Sequence, residues 1–338
     1  SKIEAKHDIY VNFYYIDKES GREIAKESVE ISRAKPNESV GARANVVTKD
    51  STVEAEFDGG KVVFDKKSGA IVSYVKDGVE YMDKNAATKG FVPSITRAFI
   101  DNERFFRILW DILGVTSSKV RKVSIKTHKK ESKAVIRVKY AIDTRAIFRL
   151  MNACVEYYVD NSGKILVDAT LRSVNPFVTT IQKFGLSAQL DGRFSNVRYF
   201  GRGDEENLSD FNEHALVGIY STSVDKFARV YIKPQDSGNR GDVRWAEFTD
   251  ENGDGLRFSA SGNLFNLNAH DYTDDSLKKA GHIEDVKRED TVFVSIDGFV
   301  RGSGSNSCGP LPSKEHLVNV SYKRPLKYSF VIEPIKKS

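Results

Sequence analysis

The chain has 338 residues, 40% of them hydrophobic and 29% charged, which is enough apolar mass for one large domain or two, and no apolar run approaches the roughly 18 residues a membrane-spanning helix needs. Its 52 basic and 47 acidic residues leave a net charge of +5 spread thinly. The basic clusters, Lys119–Lys122, Lys126–Lys130 and Lys336–Lys337, alternate with apolar residues or lie at a terminus, as a solvated face does, so neither nucleic acid nor membrane is expected as a partner.

In chain order, residues 9 to 31 alternate (Ile9, Val11, Phe13, Tyr15, then Ile24, Val29, Ile31) around a turn at Glu19-Ser-Gly21, which predicts a hairpin of a small β-sandwich. An Ig-like sandwich takes about 100 residues, so this is expected to be a partial segment or an arm. Ala34 to Gly41, with Pro36 and Asn37, reads as a linker, dividing the chain into residues 1–47 and 48–338. Beyond residue 52 the period stays near two almost to the end, as in Val53/Ala55/Phe57, Ile165/Val167 and Tyr328/Phe330/Ile332. Asp58-Gly-Gly60, Asn161-Ser-Gly163 and Asn252-Gly-Asp-Gly255 punctuate it at hairpin spacing, and the class is all-β.

Helical spacing is clear only at Asn102–Leu113, where Phe105, Phe106, Leu109, Trp110 and Leu113 are expected on one face, and at Tyr272–Leu277, with Thr273 as N-cap. Cys154 lies in an alternating strand as an expected core residue, and Cys308 in a Ser-Cys-Gly-Pro turn. Two such cysteines make no metal site and argue for a reducing, cytoplasmic compartment. The sequence starts at Ser1 with neither methionine nor a secretory-type leader, and a longer polypeptide reaching upstream is expected.

Three glycine-rich polar loops stand out: Gly201 to Asn207, Tyr231 to Arg240, and Gly302 to Pro310. Glycines combined with amides and charges form a rigid polar rim on a β scaffold, suited to hydroxyl-rich ligands or to a neighbouring domain. Glu206, Asn207, Gln235, Arg240, Asp242 and Arg244 are the candidates for holding these loops, with Arg240 and Arg244 expected to fork onto Glu206 or Asp242.

These loops resemble the C-terminal domain of the large β-galactosidases of glycoside hydrolase family two, a domain that in some bacteria is a separate small chain. Phe64 to Tyr74 is similar to its opening hairpin, Thr96 to Glu103 to its Arg-Ala-Pro-x-Asp-Asn-Asp loop, and Gly201 to Asp210 to Gly-Arg-Gly-Pro-x-Glu-Asn-Tyr-x-Asp. Tyr231 to Trp245 matches Tyr-x-x-Pro-Gln-Glu-x-Gly-Asn-Arg-x-Asp-Val-Arg-Trp, and Ile296-Asp297 with Gly302 to Pro310 matches the final loop. Phe99 and Asp204 replace prolines and Leu208 replaces a tyrosine.

The resemblance implies an antiparallel β-supersandwich of the galactose-mutarotase type, preceded by the end of an Ig-like β-sandwich. It also implies that the catalytic glutamates lie in a (β/α)₈ barrel, of the same polypeptide or of a large subunit, for which this chain has no room. The chain alone is then inactive, with no catalytic residue and no cofactor of its own, while magnesium and sodium belong to the barrel of the complete enzyme. The substrate is a β-galactoside. Asp101, Asn102 and Glu103, with Asn306 and Cys308, would border the sugar site, although Asp101 or Asn102 could simply cap the following helix. Phe99, Phe105 and Phe106 are expected to remain exposed where the barrel docks. The rival reading is a freestanding carbohydrate-binding or aldose-epimerase-like module, with His214 and His270 as acids and Glu247 as base.

Overall fold

A computed structural model describes residues 8–34, 41–85, 90–130, 133–146, 148–304 and 311–336. The first hairpin pairs Ile9–Ile16 with Glu23–Ser32 and forms a sheet by itself. It rests on the main body through a few contacts: Asn12 Nδ2 donates to the Val217 carbonyl (3.1 Å), Ser28 Oγ accepts from Val217 N (2.8 Å), and Arg244 lies 4.4 Å over the Tyr10 ring. No second sheet among the described residues covers it, and most of its side chains on both faces are exposed.

The body is built on a nine-stranded antiparallel sheet, in the order Leu216–Ser223, Asn196–Gly203, Trp245–Thr249, Gly255–Ser261, Leu326–Ile335, Ile165–Ser173, Arg149–Val159, Lys133–Asp143 and Lys119–Lys130. A five-stranded sheet runs Arg240–Val243, Phe265–His270, Thr291–Val300, Lys183–Asp191 and Val92–Ser94. A second orders Asn45–Thr48, Thr52–Phe57, Gly60–Asp65, Ile71–Lys76 and Val79–Glu80, and a short pair joins Thr180–Ile181 to Val318–Asn319. The antiparallel all-β class read from the period-two pattern is the class observed.

Strand Ile165–Ser173 shows why the layers form: Ile165, Val167, Ala169 and Leu171 are buried, while the residues between them face outward. Val167 pairs across the ladder with both Tyr157 and Phe330, so these share the inner face. Both five-stranded sheets pack on that face. Phe64 of one meets Tyr157 with ring centroids 4.9 Å apart, Phe184 of the other meets Tyr328 at 5.4 Å, and Tyr328 Oη donates to the Ile296 carbonyl (2.9 Å). One continuous core runs between the sheets.

Strand Asn45–Thr48 straddles the expected division at 47/48 and pairs with Thr52–Phe57 throughout. Residues just before it are already tied to the body, with Ala44 N donating to the Val159 carbonyl (3.1 Å) and Gly41 N to Asp160 Oδ2 (3.0 Å). Cys154 is a correction: it alternates out of phase with buried Ala153 and Val155, so it faces outward and is only half-buried.

Helix α1 spans Arg104–Ile112 and helix α2 spans Asp274–Lys279. Thr273 caps α2 as expected, accepting from Ser276 N at 3.1 Å. The expected single apolar face of α1 splits into two. Trp110 is buried, its indole N–H donating to the Thr180 carbonyl (2.9 Å), with Phe106 stacked on it at 5.2 Å and Phe106 and Leu113 partly buried against the core. Phe105 (60% exposed), Ile108 (60%), Leu109 (45%) and Ile112 (77%) form a second apolar stripe that faces away from the body. Of the three phenylalanines expected on the surface, Phe105 is exposed; Phe99 and Phe106 pack against the core because both rings meet Trp110.

Candidate functional site

The loop from Arg97 to Arg104 is pinned from beneath by buried charges. Glu103 and Arg301 have no exposed surface, and Arg97, Asp236 and Gln182 are also buried. Glu103 accepts from Arg97 (3.1 Å), Arg301 (3.3 Å), Gln182 Nε2 (2.8 Å) and Ile100 N (3.4 Å), while the other arm of Arg97 reaches Asp236 at 3.0 Å. Two guanidinium groups against two carboxylates leave the cluster balanced, which is the condition for holding charge in a low-dielectric interior. Burial alone would lower the Arg97 pKa, but Glu103 and Asp236 outweigh it and raise it. Burial dominates at the other two: Asp236 is pushed up to about 7, and Arg301 is lowered against the pull of Glu103. Arg301 also lies 4.2 Å over the Phe106 ring, coupling the cluster to α1.

The second and third loops are locked by amides. Asn207 donates to the carbonyls of Arg202 (3.3 Å) and Glu205 (3.0 Å) and accepts from Gly241 N (2.9 Å), and Asn239 Nδ2 donates to the Asn207 carbonyl (2.8 Å). Asp210 accepts from Ser303 N (3.0 Å) and Gly304 N (2.7 Å) and so holds the start of the final loop. Gly302 makes this approach possible, because a Cβ there would stand 2.5 Å from the Asp210 carboxylate.

Several expected partners are different. Arg240 reaches neither Glu206 nor Asp242 and instead donates to Tyr199 Oη (3.1 Å) and the carbonyls of Gly238 (2.8 Å) and Phe227 (3.2 Å), since it points into the core over the Phe227 ring. Asp242 pairs with Arg202 (2.7 Å), and Arg244 donates to the Asp242 carbonyl rather than to its carboxylate. Glu206 accepts from Tyr231 Oη (3.1 Å), and burial raises its pKa.

The substrate-side candidates also divide. Glu103 occupies the N-cap position of α1 without a side-chain cap, and its carboxylate faces the buried cluster rather than a ligand. Asp101 does not cap the helix; its carboxylate meets Lys233 (3.2 Å) and its backbone N–H donates to Gln235 Oε1 (3.0 Å). Asn102 follows it in the same single turn of 3-10 helix, Asp101–Glu103. Asn306 and Cys308 lie outside the described residues. The outer surface of this loop borders a cavity of about 590 Å³ with a largely basic wall, from Arg104, Arg107, Lys233 and Lys278. Among the described residues, no group of three or more His, Cys, Asp and Glu side chains is placed to hold a metal ion.

A second cavity, of about 330 Å³, lies on the outer face of the five-stranded sheet that contains Lys183–Asp191. That face carries Lys183, Ser187, Gln189, Ser295, Asn268 and His270, and of these the sequence pattern singles out His270 alone. The missed signal is the polar half of the alternation in Lys-Phe-Gly-Leu-Ser-Ala-Gln-Leu and Phe-Asn-Leu-Asn-Ala-His. His270 is not assembled with its expected partners: His214 stacks on Phe211 at 5.6 Å, and Glu247 stands on the outer face of the nine-stranded sheet between Arg198 and Arg257.

The fold and the hydrogen-bonded loops define an all-β module in which polar edges and an apolar helix stripe border open surface. The family described as beta galactosidase small chain matches residues 57–332, and the chain belongs to it. It is 26% identical over 320 residues to a β-galactosidase of Streptococcus thermophilus, a match covering 93% of this chain and 30% of that protein. It is 27% identical over 316 residues to one of Lactobacillus delbrueckii subsp. bulgaricus, covering 91% and 30%. A third match, to a β-galactosidase of Actinobacillus pleuropneumoniae, is 29% identical over 232 residues and covers 68% and 22%. The chain thus spans under a third of the length of these relatives. Among solved structures, a galactose mutarotase-like protein from Lactobacillus casei aligns with a TM-score of 0.47 at 10% identity, covering 84% of this chain and all of that one. A putative aldose 1-epimerase from Escherichia coli K12 aligns with a TM-score of 0.45 at 8% identity, covering 88% and 100%.

Proposed function

We propose that this chain is the C-terminal, non-catalytic part of a family-two β-galactosidase, with residues 9–33 the end of a preceding β-sandwich domain, and that it borders the sugar-binding mouth of a separate (β/α)₈ barrel. The observation that carries this reading is the mismatch of lengths: relatives match nearly all of this chain, yet it spans under a third of them. The state of the buried acids supports it. Retaining glycoside hydrolysis needs two carboxyls about 5 Å apart, one protonated and one free to attack. Here Glu103, Asp236 and Asp297 are each held by an arginine or a lysine.

In this reading the exposed stripe of α1 contacts the barrel, and the loop above Glu103 is held at a set height beside the substrate, so the chain contributes position rather than chemistry. Magnesium and sodium are held by the barrel, the substrate is a β-galactoside, and the compartment is the cytoplasm. The test is complementation with nitrophenyl galactoside as substrate. The purified chain alone should release no nitrophenol, and mixing with the barrel-bearing polypeptide should restore turnover. Release by the chain alone, or no gain on mixing, overturns the reading.

A further inference from the structure

The cavity on the five-stranded sheet is unusual in its floor. The inner face of that sheet is apolar, with Phe184, Leu186, Ala188 and Leu190 in the core, but the opposite face is also largely covered while being lined with hydrogen-bonding side chains. Lys183 Nζ donates to Ser295 Oγ (2.7 Å) and to the Asp297 carboxylate (3.2 Å). Gly185 is obligatory beside them, since a Cβ there would stand 1.7 Å from Asp297. Two of the residues lining the cavity each carry a buried atom with no hydrogen-bond partner among the described residues, Gln189 Oε1 and His270 Nδ1, and His270 as a residue is only 8% exposed. A buried polar atom left without a partner forfeits the hydrogen bond it made in water, a loss a ligand can offset.

The register shows what those two atoms flank. Gln189 and His270 both pair with Phe293 on the strand between them, so the three form one row across the sheet, and the Phe293 ring is only half-buried in the cavity wall. Two strand spacings put the outer members about 10 Å apart. That leaves room for a six-membered ring lying on Phe293 with a hydroxyl reaching each neighbour. The size, about 330 Å³, is at the lower end of small-ligand pockets, so the occupant is small.

We propose that this cavity binds a small neutral polyhydroxylated ligand, a free monosaccharide or a polyol, with its C–H face on Phe293 and its hydroxyls on Gln189 and His270. The acids nearby favour hydroxyl donors over an anionic ligand, because Asp236, Asp274 and Asp275 also line the cavity while Lys183 is already paired. Burial holds His270 neutral, its pKa lowered to about 4, so the ring keeps one acceptor at neutral pH. This site does not depend on the chain being part of a galactosidase.

The experiment is a titration of the full chain with galactose, and separately with inositol, followed through the histidine ring resonances, with His270 assigned by its loss in His270→Phe. The His270 signal should move saturably with a midpoint near millimolar concentration, and the midpoint should rise at least tenfold in Gln189→Leu and in Phe293→Ala, both folded by circular dichroism. A His270 signal unmoved up to about 100 mM, or an unchanged midpoint in Gln189→Leu, overturns the proposal. Sugar bound only elsewhere on the chain leaves the His270 signal still and so also counts against it.

Discussion

The outward faces of the two central sheets obey the same alternation and meet opposite surroundings. On the nine-stranded sheet several outer residues are charged and paired across strands: Glu247 sits between Arg198 (3.7 Å) and Arg257 (3.1 Å), and Glu156 meets Arg137 at 2.6 Å. On the five-stranded sheet the corresponding positions are Ser187, Ser295, Asn268 and His270, most of them buried, with Asp236, Tyr272 and the first turn of α2 bordering the space above them. Charged pairs in water contribute little and tolerate change, whereas polar groups out of water must each find a partner. Period two therefore separates core from non-core, but it does not distinguish solvent from a covered polar site.

The largest expected effect tests the buried side of that contrast. Glu103→Ala leaves Arg97 and Arg301 facing each other without their shared carboxylate, and should cost about 3–5 kcal/mol in denaturant unfolding. A loss below about 1 kcal/mol would mean that the cluster is open to water and the contrast is wrong.

A pH effect of about 3 kcal/mol should follow from two buried groups with opposite signs. His270 has a folded pKa of about 4, below its unfolded value near 6.5, so the unfolded chain takes up the proton first and stability falls as pH drops from 6.5 to 4. Asp236, raised to about 7, binds its proton more tightly when folded, so its contribution falls as pH rises from about 4 to 7. In the parent chain these slopes oppose each other. Relative to it, Asp236→Asn should steepen the rise of stability between pH 4 and 7, and His270→Asn should tilt it downward. Parallel pH profiles for both variants would show that neither group is buried in solution.

On the exposed side, Glu247→Ala should cost less than about 1 kcal/mol and should lose even that in high salt. The smallest stability effect belongs to the α1 stripe. Ile112→Ser should change unfolding free energy by no more than about 0.5 kcal/mol, because that side chain is largely exposed among the described residues, yet it should weaken complementation by the barrel-bearing polypeptide. An equal loss of stability would place Ile112 in the chain's own core.

Much of this was readable beforehand. The alternation of Ile165 to Leu171, the cap at Thr273 and the hairpin strands Ile9–Ile16 and Glu23–Ser32 all follow from local spacing, because strand and helix periods decide which side chains can share a face. The order of the loop motifs pointed to the family that the match over residues 57–332 shows. Partner choice among charges was not readable: Arg240 turned to Tyr199 and Phe227, and Glu103 to Arg97 and Arg301, because burial selects whichever acceptor the surrounding fold brings within about 3 Å.

The sequence by itself determined the class of fold, the turns and the family, since each depends on residues near one another along the chain or on their order. Tertiary structure alone decided that Trp110 and Phe106 face inward while Ile108 and Ile112 face out, and that Gln189, Phe293 and His270 stand in one row. These relations join strands and loops up to about a hundred residues apart, and they arise only when the sheets close on one core.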